Sequence, residues 1–197
     1  MNSTSPVNVD RVLTFLYKRG VPYFVHFTSV DNLKSILASG IIPRNKLDTD
    51  NIPYQSNDEY RLDGNTHVNL SITHPNCKFL YRARERHPDT EYAVITINPR
   101  ILENYSGIDG RETFSFSSTN AASNKARKCN VEELFAGERP DFFKQEWPTD
   151  EQSEVLIPGI VPPQFFLSIE FPEKFGSSIE QCNLLASIDS IISSNHL

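Results

Sequence analysis

Apolar positions along the first third of the chain fall into two rhythms. In "NVDRVLTFLYKR" (8–19) Val9, Val12, Leu13 and Leu16 recur at helical spacing, with Gly20 as the stop. "PYFVHFT" (22–28) is β-branched and aromatic and reads as a strand. It runs directly into "SVDNLKSILASG" (29–40), where Leu33, Ile36 and Leu37 mark a second helical face between an N-capping Ser29 and a C′ Gly40. The polar, broken segment 43–65 reads as a long loop, and loops of that length are functional or disordered.

Strand-like alternation then takes over. "HVNLSIT" (67–73) sets Val68, Leu70 and Ile72 against Asn69, Ser71 and Thr73, the pattern of a half-buried strand. "PNCKFLYRARER" (75–86) predicts a helix after Pro75, "YAVITIN" (92–98) a central strand, "ILEN" (101–104) a single turn and "TFSFS" (113–117) a short strand. Residues 118–137 read as a loop leading into a helix, and 137–151 as another polar connection. "EVLIPGIV" (154–161) and "QFFLSIEF" (164–171) are two strands parted by Pro162-Pro163, and 178–193 is an amphipathic terminal helix. Early strand–helix alternation followed by strand-rich sequence predicts an α+β fold with a split β core and flanking helices. A length of 197 residues suits a single domain over 1–197.

Composition adds limits. With 38% hydrophobic and 22% charged residues a sizeable core is affordable and global disorder is not expected. No apolar run approaches the roughly 18 residues of a membrane span. The N-terminus lacks the basic-then-apolar layout of a secretion signal, so a cytoplasmic location is expected. Cys77, Cys129 and Cys182 have no metal-type or disulfide-type spacing, and no metal is expected. The net charge of −6 does not advertise a nucleic-acid partner, but the cations are clustered. Lys78, Arg82, Arg84 and Arg86 alternate with Phe79 and Tyr81, and Lys125, Arg127 and Lys128 follow later. Such a run is either a solvated helix face or a groove for phosphates.

Three strand-borne groups carry candidate chemistry: His26 and Thr28 in "HFT", Ser71 in "NLSI", and Glu154 preceded by Gln152. Period-two alternation would put Gln152 and Glu154 on one strand face, and an ordinary solvated strand edge would look the same. Gathered at one cleft, these groups resemble the NAD site of an ADP-ribosyltransferase. Breaking the nicotinamide–ribose bond leaves an oxocarbenium-like centre that a nearby carboxylate stabilises. A neutral His with a Thr can hold a ribose by hydrogen bonds, a Ser can orient the carboxylate, and an aromatic ring can stack on nicotinamide.

The chain also resembles the DarT family of nucleic-acid ADP-ribosyltransferase toxins. The likeness lies in "HFTSVDNLKSILASGI" (26–41), "DEYRLDGNTHVNLSITHPNCKFLYR" (58–82), "FSSTNAASN" (116–124) and "PTDEQSEVLIPGIVPP" (148–163), four motifs in series. It implies Glu154 as the catalytic carboxylate and Arg61 as a second catalytic residue near the target base. Because an arginine stays charged, it would stabilise or orient the deprotonated base rather than take the proton. His26, Phe27 and Thr28 would line NAD, with Asn32 and Ser35 pointing back to it, and Phe79 or Tyr81 would supply the stacking ring. Asn120 would touch the base or cap a helix. Gln152, Arg82 and Arg84 would face the acceptor.

The implied acceptor is a base of single-stranded DNA, with Ser-Ile-x-x-Pro-Asn (71–76) and "TNAAS" favouring the guanine-modifying branch over the thymine-modifying one. An antitoxin that hydrolyses the mark is the implied partner, in a toxin–antitoxin or phage-defence system. Alternatives are an RNA acceptor, a protein arginine acceptor suggested by Gln152, and an inactive relative that only binds NAD or nucleic acid.

Overall fold

The computed structural model describes residues 9–55, 65–106, 113–171 and 189–194. Alternating sequence builds seven strands among them: β1 (Phe24–Ser29), β2 (Val68–Ile72), β3 (Tyr92–Ile97), β4 (Ser115–Ser117), β5 (Lys128–Cys129), β6 (Glu154–Ile157) and β7 (Phe166–Glu170). They form one sheet in the order β5-β4-β6-β2-β1-β3-β7, every neighbouring pair antiparallel. The helices are α1 (Val9–Lys18), α2 (Leu33–Ser39), α3 (Arg44–Thr49) and α4 (Cys77–Arg86).

The sheet parts in its middle. β1 stays in register with β3 from Phe24↔Ile97 to Ser29↔Tyr92, yet it meets β2 only at Phe24↔Ile72 and Val25↔Ser71. Beyond Val25 the two central strands diverge, and this divergence is the split of the core. It divides the sheet into an arm β1-β3-β7 and an arm β5-β4-β6-β2. One sheet face carries the core. Leu70 and Ile72 of β2, Val155 and Ile157 of β6, and Ile95 and Ile97 of β3 are all buried there. The helical stripe of α1 (Val12, Leu16) and the turn Pro99–Tyr105 (Ile101, Leu102) share that core. Fully burying each such side chain contributes about 1.5–3 kcal/mol.

Several expectations shift. Segment 43–65 is not a loop throughout, because α3 forms within it; its single apolar residue, Leu47, leaves no periodic stripe to read. Residues 118–137 lead to no α-helix. They hold the two-residue β5 and a 3-10 turn at Glu133–Phe135, too short to show a period although Leu134 and Phe135 are buried. The strand read over 154–161 ends at Ile157, and Val161 rejoins the fold through a bridge to Ile41. That bridge requires glycine at position 40, where φ is +83° and a Cβ would lie 2.5 Å from the Val161 carbonyl oxygen. Of the expected terminal helix, 178–188 lie outside the described residues and 189–194 are helical. No helix among the described residues is long and apolar enough to cross a membrane.

Candidate active site

Where β1 and β2 diverge, a cleft opens that encloses about 1100 Å³, its mouth included. Both faces of β1 reach it: His26 and Thr28 from one, Phe27 from the other. Asn69 and Ser71 enter from β2, on the face opposite the core, and Glu154 from the head of β6.

Glu154 is the anchor of the β2 arm. It is 7% exposed and sits in register between Ser71 of β2 and Ser117 of β4. Burying a carboxylate is costly unless donors replace water. Here the backbone N–H of Ala121 donates to Oε2 at 2.8 Å and the Asn69 amide to the same oxygen at 3.0 Å. The Asn120 amide donates to Oε1 at 3.4 Å. The short bond from Ala121 has the length of a charge-assisted one. Asn120 also accepts from the N–H of Ala122 at 2.8 Å, so it shapes the turn that aims Ala121 at the carboxylate. Ser71 lies opposite Glu154, but the orienting bonds just described come from Asn69, Asn120 and Ala121 instead.

The β1 arm supplies His26, Thr28 and Asn32. His26 Nδ1 lies 3.4 Å from the Asn69 carbonyl oxygen, across the split. That contact needs the proton on Nδ1, which makes Nε2 the acceptor in the neutral ring. Asn32 is committed within the protein. Its amide nitrogen donates to Thr28 Oγ1 and to the Gln55 carbonyl, both at 3.0 Å, and its oxygen accepts from the Gln55 N–H at 2.9 Å. Asn32 lines the cleft, but its amide ties β1 to the segment over it. That roof runs over 41–55, fixed at one end by the Ile41↔Val161 bridge and at the other by Asn32 and Gln55, and it carries Arg44, Leu47 and Tyr54. Ser35 of α2 lines the cleft as well.

The structure separates the two aromatic candidates. Phe79 lines the cleft and packs against Phe27, ring centroids 5.5 Å apart. Tyr81 is 64% exposed on α4 and does not line the cleft. Two positions along a helix turn a side chain by about 200°, so one wall cannot hold both. Arg82 and Arg84 are exposed on α4 and also lie outside the cleft. Gln152 does not line it either. β6 begins only at Glu154, and the preceding residues form a turn in which the Gln152 N–H bonds Asp150 Oδ1 at 2.9 Å, so strand alternation does not extend back to 152. Arg61 lies outside the described residues.

Sequence reasoning passed over Asn69, Asn76, Gln55 and His67, all of which line the cleft. Asn69 was legible, sharing an alternating face with Ser71. Asn76 is 2% exposed, caps α4 by accepting from the Phe79 N–H at 3.0 Å, and keeps a buried amide nitrogen with no partner. Its place directly after Pro75 marks an N-cap. No group of three metal-ligating side chains occurs among the described residues. Burial pushes the Cys129 thiol up to about 11, so it is no nucleophile at neutral pH.

A buried carboxylate at the head of one strand, across a sheet split from a His, a Thr and an aromatic ring, suits a dinucleotide whose glycosidic bond is to be cleaved. That arrangement on a split antiparallel sheet is of the ADP-ribosyltransferase class. More particularly, the chain belongs to the DarT family of ADP-ribosyltransferases: the family model described as "ssDNA thymidine ADP-ribosyltransferase, DarT" matches residues 25–186. Solved structures share the fold. Thermus sp. 2.9 DarT in complex with carba-NAD+ superposes with a TM-score of 0.58 at 15% identity, over 86% of this chain and 91% of that one. Thermus sp. 2.9 DarT in complex with ADP-ribosylated ssDNA gives 0.57 at 16%, over 87% and 90%. Thermosipho africanus DarTG in complex with ADP-ribose gives 0.58 at 18%, over 85% of this chain but only 47% of the Thermosipho chain. No curated protein matches the sequence.

Proposed function

We propose that this protein transfers ADP-ribose from NAD to a base of single-stranded DNA, in the cytoplasm, as the toxin of a toxin–antitoxin or phage-defence pair whose partner removes the mark. The observation that carries this reading is Glu154, buried yet held by the Asn69 amide and the Ala121 N–H at the edge of the cleft between β1 and β2. NAD supplies an activated ribose whose leaving group departs as neutral nicotinamide, its nitrogen keeping the electron pair of the broken C1″–N bond. Glu154 holds negative charge beside the ribose and binds its 2′-hydroxyl. His26 and Thr28 hold the adenosine side with neutral groups, which leaves Glu154 unopposed by a competing cation there. Phe79 offers the ring for nicotinamide. Arg61 stabilises the base as a base nitrogen forms the new bond to C1″ and its proton passes to solvent. A base reached in this way must leave its stack, so duplex DNA is a poor acceptor.

Guanine is the favoured base, on the residues of Ser-Ile-x-x-Pro-Asn (71–76) and "TNAAS". The description of the matching family model supports thymine as the second reading. Mass spectrometry of nucleosides, taken from a mixed-sequence single-stranded oligonucleotide after incubation with NAD, decides between them. The expected product is ADP-ribosyl-deoxyguanosine. Modified thymidine would establish the second reading, and no modified deoxynucleoside at all would refute the DNA-directed function.

A further inference from the structure

Between β2 and α4 the chain turns through Thr73, His74, Pro75 and Asn76. Thr73 has φ of +69°, in the left-handed region, where a β-branched side chain is strained. Its surroundings hold it there. Its N–H donates to the Tyr23 carbonyl at 3.1 Å and its hydroxyl to the Glu146 carbonyl at 2.8 Å. In the first turn of α4, Lys78 pairs with Glu151 at 3.0 Å. The turn is thus anchored on both sides of Asn76, which is buried and lines the cleft.

Only half of the Asn76 amide is used by the fold. Its Oδ1 caps α4 by accepting from the Phe79 N–H, and that bond fixes which end of the amide is oxygen. Its Nδ2 is buried with no partner among the described residues. A cap alone does not require this nitrogen. Serine and aspartate cap a helix about as well, and neither carries an amide to leave unmet. A buried donor without an acceptor destabilises the fold. A ligand in the cleft that brought an acceptor to Nδ2 would satisfy it.

The neighbouring wall says which part of a ligand that is. Phe79, three residues on, borders the same cleft and is the ring offered to nicotinamide. Positions three apart share a helix face, so a planar ring laid on Phe79 brings its substituents toward Asn76. Nicotinamide has one carbonyl oxygen, on its carboxamide, and its ring is cationic while bonded to the ribose. A neutral donor engages that oxygen, whereas a lysine or arginine would repel the ring.

We propose that Asn76 recognises the nicotinamide end of NAD: its amide nitrogen donates to the carboxamide oxygen and sets the rotation of the ring on Phe79. This rests on the NAD site of the reading above. The test is calorimetry of NAD and of ADP-ribose, which lacks nicotinamide, on the full chain carrying Glu154→Gln to stop turnover. Adding Asn76→Ser keeps a cap and removes the amide. NAD affinity then falls by about fivefold or more, while ADP-ribose affinity stays within about twofold and the melting temperature is unchanged. Asn76→Ala loses the cap as well, so it weakens NAD binding and also lowers the melting temperature. A second measurement leaves residue 76 intact. Thionicotinamide adenine dinucleotide, whose sulfur is a weaker acceptor, binds about fivefold or more weakly than NAD, whereas the 3-acetylpyridine analogue, which keeps the oxygen, matches NAD. If Asn76→Ser binds NAD as the parent does, or loses NAD and ADP-ribose equally, or if the thio analogue binds as well as NAD, the assignment is refuted. A chain that binds NAD but modifies no single strand refutes the DNA-directed reading alone. A chain that binds no NAD refutes both.

Discussion

The arm β1-β3-β7 and the arm β5-β4-β6-β2 join at two residue pairs and hold their polar groups in opposite ways. In the first arm they are neutral and paired at short range: Thr96 with Ser168 at 2.7 Å, and Thr28 with Asn32 at 3.0 Å. In the second, a buried carboxylate is surrounded by Ser71, Ser117 and Ser153, all buried, and held from the chain segments of Asn69 and Ala121. Neutral pairs cost little to bury and set shape. A buried carboxylate costs far more, and its bonds to distant segments make the arm a preorganised electrostatic device. On the proposed function, binding is shared across the split, whereas the chemistry belongs to the β2 arm.

Glu154→Gln gives the largest contrast. It keeps the shape and most acceptor capacity but removes the charge, so transfer from labelled NAD to a single-stranded oligonucleotide drops by about 100-fold or more. NAD binding by calorimetry changes by less than about threefold. Retained transfer would move the chemistry off this arm. Phe79→Ala tests the opposite wall. Loss of the ring raises the KM for NAD by about tenfold with a smaller change in kcat, while Tyr81→Ala leaves both unchanged. An equal effect of the two substitutions would contradict the separation of these rings by α4. Asn32→Ala is the mildest. It removes the ties to Thr28 and Gln55 and lowers stability in urea by about 1–2 kcal/mol, with NAD affinity reduced only a few-fold.

Period-two alternation in 67–73 and the apolar run opening at 154 made β2 and β6 legible from sequence, β2 by its alternating residue types and β6 as a short run buried on both faces. The split was harder. That β1 leaves β2 after Val25 depends on pairing between segments some 45 positions apart, as the Val25↔Ser71 register shows. The clamp on Glu154 was illegible for the same reason. Asn69 reaches it from 85 residues away, and the Ala121 N–H has no side-chain signature at all. α3 escaped because its one apolar residue, Leu47, shows no repeat, and β5 because two residues show no alternation. Local geometry decides what the sequence left open at the site: helix rotation takes Tyr81 off the wall that holds Phe79, and the turn before β6 takes Gln152 off the strand face of Glu154.

The roof over the cleft is secured through main-chain atoms at Ile41 and Gln55, with a glycine needed beside the first. Arg44, Leu47 and Tyr54, strung between these two ties, line the cleft. Such a span can drift in sequence while its path is conserved. What enters beneath it can therefore change through those side chains without rebuilding the sheet.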